Sequence, residues 1–233
     1  LIVYAFRVKS VIYRETLCFN EKKQRYLIGV ILALNLIFIL VVSAAILPQR
    51  WWANTTWPAD TEYESLTDAL IEGHFYLNEE PSETLKKMDN PYDPQMREKL
   101  HQESGETYLT DYAYFNGNYY CYFGIVPALI FFVPFKLLFG VHLPAWVMVS
   151  FCAVLYCIVS YFFVYTLLKR YFKRMSIGLY LILAAIFVSM SAIVYLAFFA
   201  TVYSVPIILA LLLGVMGLTF WLKAGEERLK KRY

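Results

Sequence analysis

Charge is scarce in this chain, and where it is missing it is missing in blocks. Of the 233 residues 17% are Asp, Glu, Lys or Arg and 60% are hydrophobic, whereas a soluble domain carries about 25% charged residues. Three stretches, Leu27–Leu47, Leu143–Leu168 and Ser176–Leu222, hold no Asp, Glu, Lys, Arg or His at all. Blocks of that length exclude an ordinary water-soluble domain and point to lipid-facing helices. They also count against ion-coupled transport, which buries ionisable groups within its spans. Cysteine is equally sparse. Cys18, Cys121, Cys152 and Cys157 show neither metal-ligand spacing nor a disulfide framework and read as small buried hydrophobes. No cofactor is evident, and a divalent metal has no ligand cluster in its favour. The N-terminus lacks a cleavable signal and an initiator Met, and the C-terminus stops in a basic stretch. On that pattern the chain reads as a fragment of something longer.

What is present gives the expected architecture. At ~1.5 Å per residue, Leu27–Leu47 crosses a ~30 Å hydrocarbon core, and Leu143–Leu168 does the same. Ser176–Leu222, with 47 uncharged residues, is about twice the needed length, so it folds into two spans with Thr201–Pro206 as the hairpin. The fold class is therefore all-α and polytopic, with about four transmembrane helices, one membrane-dipping helix and an outer loop of short helices with a β-hairpin. Segment by segment, the expectation is a basic cytoplasmic head at 1–26, a span at 27–47 and an acidic extracytoplasmic loop at 48–122. A membrane-dipping helix at 123–142 follows, then a span at 143–168, a basic loop at 169–175, two spans at 176–222 and a basic tail at 223–233.

Sidedness rests on a charge division hidden by the net value of +3. Residues 51–120 carry a balance of −10, which leaves +13 elsewhere. A nucleic-acid stripe is a poor account of that excess, because the Lys and Arg flank apolar spans. If 123–140 does not cross, 15 of the 21 basic residues share the cytoplasmic side, as the positive-inside rule favours. If it does cross, the clusters divide. The segment also contains Gly124, Pro127, Pro134 and Lys136, so it reads as a surface-lying helix whose Lys136 reaches toward headgroups.

The loop shows local order. Thr61 to Glu64 fits a capping box opening a helix over 62–72, closed by Gly73. Within it Glu64, Asp68 and Glu72 share a face that reads as solvated. Ser82–Met88 predicts a short helix, and Asp93 caps another beginning at Pro94 and ending before Gly105. Asn116-Gly117 between aromatic runs predicts a hairpin. Its tyrosines suit a membrane–water interface, and their faces can also stack on sugar rings. Asn54-Thr55-Thr56 matches a glycosylation sequon close to the first span.

An early span, a large outer loop with acids near the membrane, Ala69-Leu70 with Gly73-His74, the Asn90–Pro94 turn, Asp111 through Leu129 and Pro134–Gly140 together form a recognisable set. With Thr201–Val205 as a later outer turn, residues 27–222 resemble bacterial members of the GT-C superfamily of membrane glycosyltransferases. The resemblance implies an enzyme of the bacterial plasma membrane that transfers sugar from a lipid-phosphate-linked donor. The acceptor is a glycan or lipid on the outer face, and membrane lipid is the remaining partner. A loop carboxylate acts as general base on the acceptor hydroxyl. Asp60 comes first for this role, then Glu62, then Asp111. Thr61 separates the first two where such enzymes carry adjacent acids. Tyr92, Tyr119, Tyr120 and Lys136 are the expected substrate-binding residues. A transporter component, or a non-catalytic scaffold with a partner- or glycan-binding loop, is the alternative.

Overall fold

A computed structural model describes residues 15–18, 21–45, 62–105, 109, 111–172 and 174–230. The chain is mostly helical and divides into two compact units, Thr56–Ala145 as one and the flanking segments together as the other. The flanking unit holds α1 (Lys22–Ala45), α6 (Ala145–Tyr171), α7 (Ile177–Met190), α8 (Ile193–Phe198) and α9 (Ser204–Lys230). The Thr56–Ala145 unit holds α2 (Glu62–Glu72), α3 (Glu83–Lys86), α4 (Pro94–Ser104), strands β1 (Tyr112–Phe115) and β2 (Asn118–Cys121), a π-helical turn at Ala128–Phe132 and its continuation α5 (Val133–Phe139).

Three helices are long and apolar enough to cross a membrane: Lys22–Ala44, Ala145–Tyr171 and Ser204–Ala224. Four of their hydroxyls are satisfied locally, while Ser160 Oγ, in Ala145–Tyr171, is buried without a hydrogen-bond partner. Ser43, Ser150, Thr166 and Thr219 each donate to the carbonyl four residues back, so no polar atom of these side chains faces hydrocarbon unpaired. Helices α1, α6 and α7 are tied by polar contacts between them. Asn35 Nδ2 donates to Tyr161 Oη at 2.9 Å, and Tyr180 O–H donates to the Tyr161 carbonyl at 3.1 Å.

The basic clusters meet at one end of this unit. Leu17 N–H donates to the Met175 carbonyl at 2.7 Å and Ile177 N–H to the Glu15 carbonyl at 3.1 Å. Gln24 braces the same strand-like segment by accepting from Cys18 N–H and donating to the Thr16 carbonyl. The Arg170 guanidinium donates to the Leu222 carbonyl at 2.6 Å. Helix α1 starts at this end and α6 finishes there, so α1 finishes and α6 starts at the opposite end.

The long run Ser176–Leu222 departs from the expected two helices. Its turn lies at 199–203 and Ser204–Pro206 already belong to α9, but a second interruption falls at Ser191–Ala192. There Ser191 Oγ takes the Val188 carbonyl at 2.6 Å, and Ala192 is left-handed, with φ 60° and ψ 10°. A left-handed alanine costs about 1–2 kcal/mol. Ala192→Gly is therefore expected to raise the thermal midpoint of the detergent-solubilised protein, by up to about 1 kcal/mol of stability. An unchanged or lowered midpoint would show that the bend is not strained.

Candidate functional site

The Thr56–Ala145 unit is assembled on α2. Tyr63, Leu66 and Ala69 recur at helical spacing and are at most 1% exposed. Tyr63 stacks on Phe132 with centroids 5.1 Å apart. The partner helix contributes the matching stripe, Ala128 and Phe132 buried and Lys136 beyond them. Burying Phe132 alone removes enough apolar surface to be worth about 2–3 kcal/mol. The helix formed by Ala128–Phe139 is short. Counting 12 residues at ~1.5 Å each gives about 18 Å, well under a ~30 Å core.

The hairpin pairs Tyr112 with Cys121, Ala113 with Tyr120, Tyr114 with Tyr119 and Phe115 with Asn118. Asn116 and Gly117 both have positive φ, 49° and 79°, as a two-residue turn matching strand twist requires. A third segment joins: Tyr76 bridges Tyr120, and Leu77 N–H donates to the Tyr119 carbonyl at 2.8 Å. Because side chains alternate across a sheet, Leu77, Tyr119 and Tyr112 form the buried inner face. The row Tyr76–Tyr120–Ala113 and the neighbouring Phe115 form the outer one.

Glu62 sits where α2 meets this hairpin. It is 1% exposed, and its Oε1 accepts the Tyr122 N–H at 3.1 Å. Burial raises its pKa above the ordinary 4.5. Hydrogen bonds from Cys121 and Tyr122 oppose the rise, and the charges of Asp111 and Glu79 add to it. Cys121 responds in kind, its thiol pushed up to about 12 by burial and by Glu62. Two of the predicted acids, Glu62 and Asp111, are thus brought within electrostatic reach of each other. They differ in access, since Glu62 is sealed and Asp111 is exposed. Asp111 has a φ of 65°, a conformation that Asp and Asn tolerate better than other side chains. Asp60 lies outside the described residues, as do Thr61 and the sequon at Asn54.

The Glu62 carboxyl gives a pH prediction. Its proton is held more tightly in the folded chain than in the unfolded one, so this contribution to stability is full below pH 4.5. It is lost as pH rises through the raised value. Glu62→Gln keeps an acceptor for Tyr122 N–H and removes the titration. Between about pH 4 and pH 8, the wild-type melting temperature should therefore fall relative to the variant's. Parallel curves would contradict this.

A second polar cluster lies further along α2. Lys136 Nζ is paired with Asp68, and His142 Nε2 lies 3.1 Å from Lys136 Nζ and 3.4 Å from Asp68 Oδ2. The three side chains are 25–33% exposed. Asp68 is thus not a bare solvated acid as the four-residue spacing implied, and the Lys136 ammonium turns to a carboxylate of its own unit. Around the cluster Leu137, Leu138, Phe139 and Val141 are all more than half exposed. Among the described residues no three His, Cys, Asp or Glu side chains group as metal ligands.

No protein family, curated protein or solved structure matches the chain.

The expected substrate-binding tyrosines separate by position. Tyr119 is 2% exposed and packs edge-on between Tyr112 and Tyr114; it is core. Tyr92 donates its O–H to the Tyr114 carbonyl at 2.8 Å and accepts the Tyr114 N–H at 2.5 Å. The Arg97 guanidinium lies over the Tyr92 ring, 5.4 Å from its centroid. Tyr92 therefore clips the edge of β1. Tyr120 sits on the outer row of the sheet, half-buried, while Tyr92 is 53% exposed beside β1. Three residues escaped the sequence reading of the site: Asp68 and His142, which meet Lys136, and Tyr76, which joins Tyr120. The spacing of the α2 acids was visible, but their partners are distant in the chain and only packing joins them.

Proposed function

We propose that this chain is a membrane glycosyltransferase of GT-C type, or part of one, that uses a lipid-phosphate-linked sugar as donor. The observation that carries this reading is the meeting of Lys136, on a helix too short to cross by itself, with His142 just beyond that helix, among exposed apolar side chains. Apolar rim and cation are the two halves of what a lipid phosphate needs: hydrocarbon contact for its chain and ammonium or imidazolium donors for its phosphate oxygens. Asp68 holds Lys136 in place until the donor arrives. On the acceptor side the exposed Asp111 carboxylate takes the hydroxyl proton. The sealed Glu62 is a positioning residue that fixes the hairpin through Tyr122 N–H. Asp60 remains a second candidate base.

The topology that goes with this is four crossings, the interrupted pair α7 and α8 supplying the one beyond the three long helices. The basic end is cytoplasmic and the Thr56–Ala145 unit lies outside, in a bacterial plasma membrane. Support comes from the contacts of Glu15 with Ile177, Leu17 with Met175 and Arg170 with Leu222 at one end of the helix unit. A crossing at 123–140 would reverse α6 and separate those clusters.

The test is reconstitution in liposomes with a labelled sugar on polyprenyl phosphate and a polysaccharide or lipid acceptor. Label should reach the acceptor, and should fail to do so when Asp60 and Asp111 are both replaced by Asn. Full transfer by that double variant would end the proposal. For topology, a cysteine placed at Lys99 should react with an impermeant maleimide from outside, and one at Arg174 should not.

A further inference from the structure

We infer that the outer face of the three-segment sheet is a docking platform for an uncharged glycan chain, the acceptor of the reaction proposed above. Three observations converge on it. The first is an aromatic row that is fixed before any ligand arrives. Tyr76 bridges Tyr120, and the Tyr76 ring lies on the His74 imidazole with centroids 4.0 Å apart and planes within 6°. The His74 ring nitrogens lie close to acceptors, Nδ1 at 2.7 Å from the Tyr76 carbonyl and Nε2 at 3.2 Å from Glu72 Oε2, and the single N–H of a neutral imidazole ties the ring to one of them. A ring locked in this way loses little rotamer freedom on binding.

The second is the shape of the face. Ala113 pairs with Tyr120, so the aromatic row ends on a methyl group. Phe115, 65% exposed, lies two residues along the same face. Flat rings beside a shallow step suit a pyranose whose hydroxyls are equatorial. Its axial C–H groups are then presented to the negative ring face.

The third is the polar edge and its sign. Glu72 Oε2 also accepts from Asn78 Nδ2 at 3.0 Å, and both side chains are exposed. A carboxylate next to an amide receives and donates hydrogen bonds, which is what vicinal hydroxyls ask for. Among the described residues, those that form this row, Tyr76, Tyr120, Ala113 and Phe115, include neither Lys nor Arg. The surrounding 51–120 stretch has a balance of −10. That charge disfavours a polyanionic chain such as nucleic acid on this face, and the aromatic row with its carboxylate–amide edge matches a neutral polyhydroxyl chain.

The experiment uses the full chain in nanodiscs with cellotetraose and chitotetraose as probes, followed by saturation-transfer NMR and calorimetric titration. At least one tetraose should bind, and Tyr76→Ala and Tyr120→Ala should each weaken it by about tenfold. Tyr76→Phe, which keeps the ring, should retain binding. Phe115→Cys should label with a water-soluble maleimide, and tetraose should slow that labelling. Absence of binding by the wild type, or equal binding by the two alanine variants, would overturn the inference. So would labelling of Phe115→Cys by a lipid-soluble reagent alone, because the face would then be a membrane contact. The platform rests on the sugar-transfer reading but fails separately: tetraose binding without transfer removes the enzyme and leaves the platform.

Discussion

Asp111→Asn should lower sugar transfer by about 10²–10⁴-fold, the range supplied by a positioned general base, while leaving the fold and donor affinity unchanged. The substitution is clean for a backbone reason. Asp111 occupies the left-handed region with φ 65°, where Asn is at least as comfortable as Asp, so no strain enters with the amide. Alanine at the same place would mix a lost carboxylate with a distorted entry to β1. Glu62→Gln gives the contrast. Glu62 is sealed and its oxygen is occupied by Tyr122 N–H, so the glutamine variant should keep most of its transfer activity while losing the pH dependence of stability described above. Transfer at the wild-type rate by Asp111→Asn, measured as initial rate at saturating donor, would remove Asp111 from the chemistry and return the role to Asp60.

The second large effect concerns the donor. Lys136→Met removes the cation and should raise the donor KM by about 10–100-fold, each tenfold being about 1.4 kcal/mol of lost interaction, with kcat less affected. Asp68→Asn should act in the opposite sense. It frees the ammonium from its carboxylate partner and leaves it available to phosphate, so the donor KM should hold or fall. That opposition is the diagnostic feature. If the ion pair served only to fasten α5 to α2, both variants would loosen the same contact and shift KM alike. A partly exposed pair is worth ~1 kcal/mol or less, so neither variant should unfold the unit.

Local grammar in the sequence carried most of the secondary structure. Ser82 accepts from Leu85 N–H, and Asp93 accepts from Gln95 and Met96 N–H ahead of a helix that stops at left-handed Gly105. Asn116-Gly117 turns the hairpin. Each of these is a contact among residues a few positions apart, so composition and spacing determine it. Absence of charge likewise marked the three long helices. The interruption at Ser191–Ala192 was not legible, because Ser-Ala carries no breaker signal and the bend is imposed by packing of Ile193, Leu196 and Ala197, all at most 4% exposed. The site was legible only as an inventory of acids and tyrosines. Which acid is sealed, and which tyrosine is core, clip or platform, depends on contacts such as Tyr122 to Glu62, 60 residues apart, and on sheet pairing that puts Tyr119 inward and Tyr120 outward.

The Tyr92 phenol has a consequence for how closely copies can crowd together. An open strand edge is a template on which a neighbouring molecule can add a strand and begin a polymer. In this ribbon one edge is taken by the segment at Tyr76–Leu77, and the other has its exposed Tyr114 amide and carbonyl both engaged by a single hydroxyl. A hydroxyl cannot propagate a ladder, so pairing stops there, and copies brought close together keep their sheets to themselves.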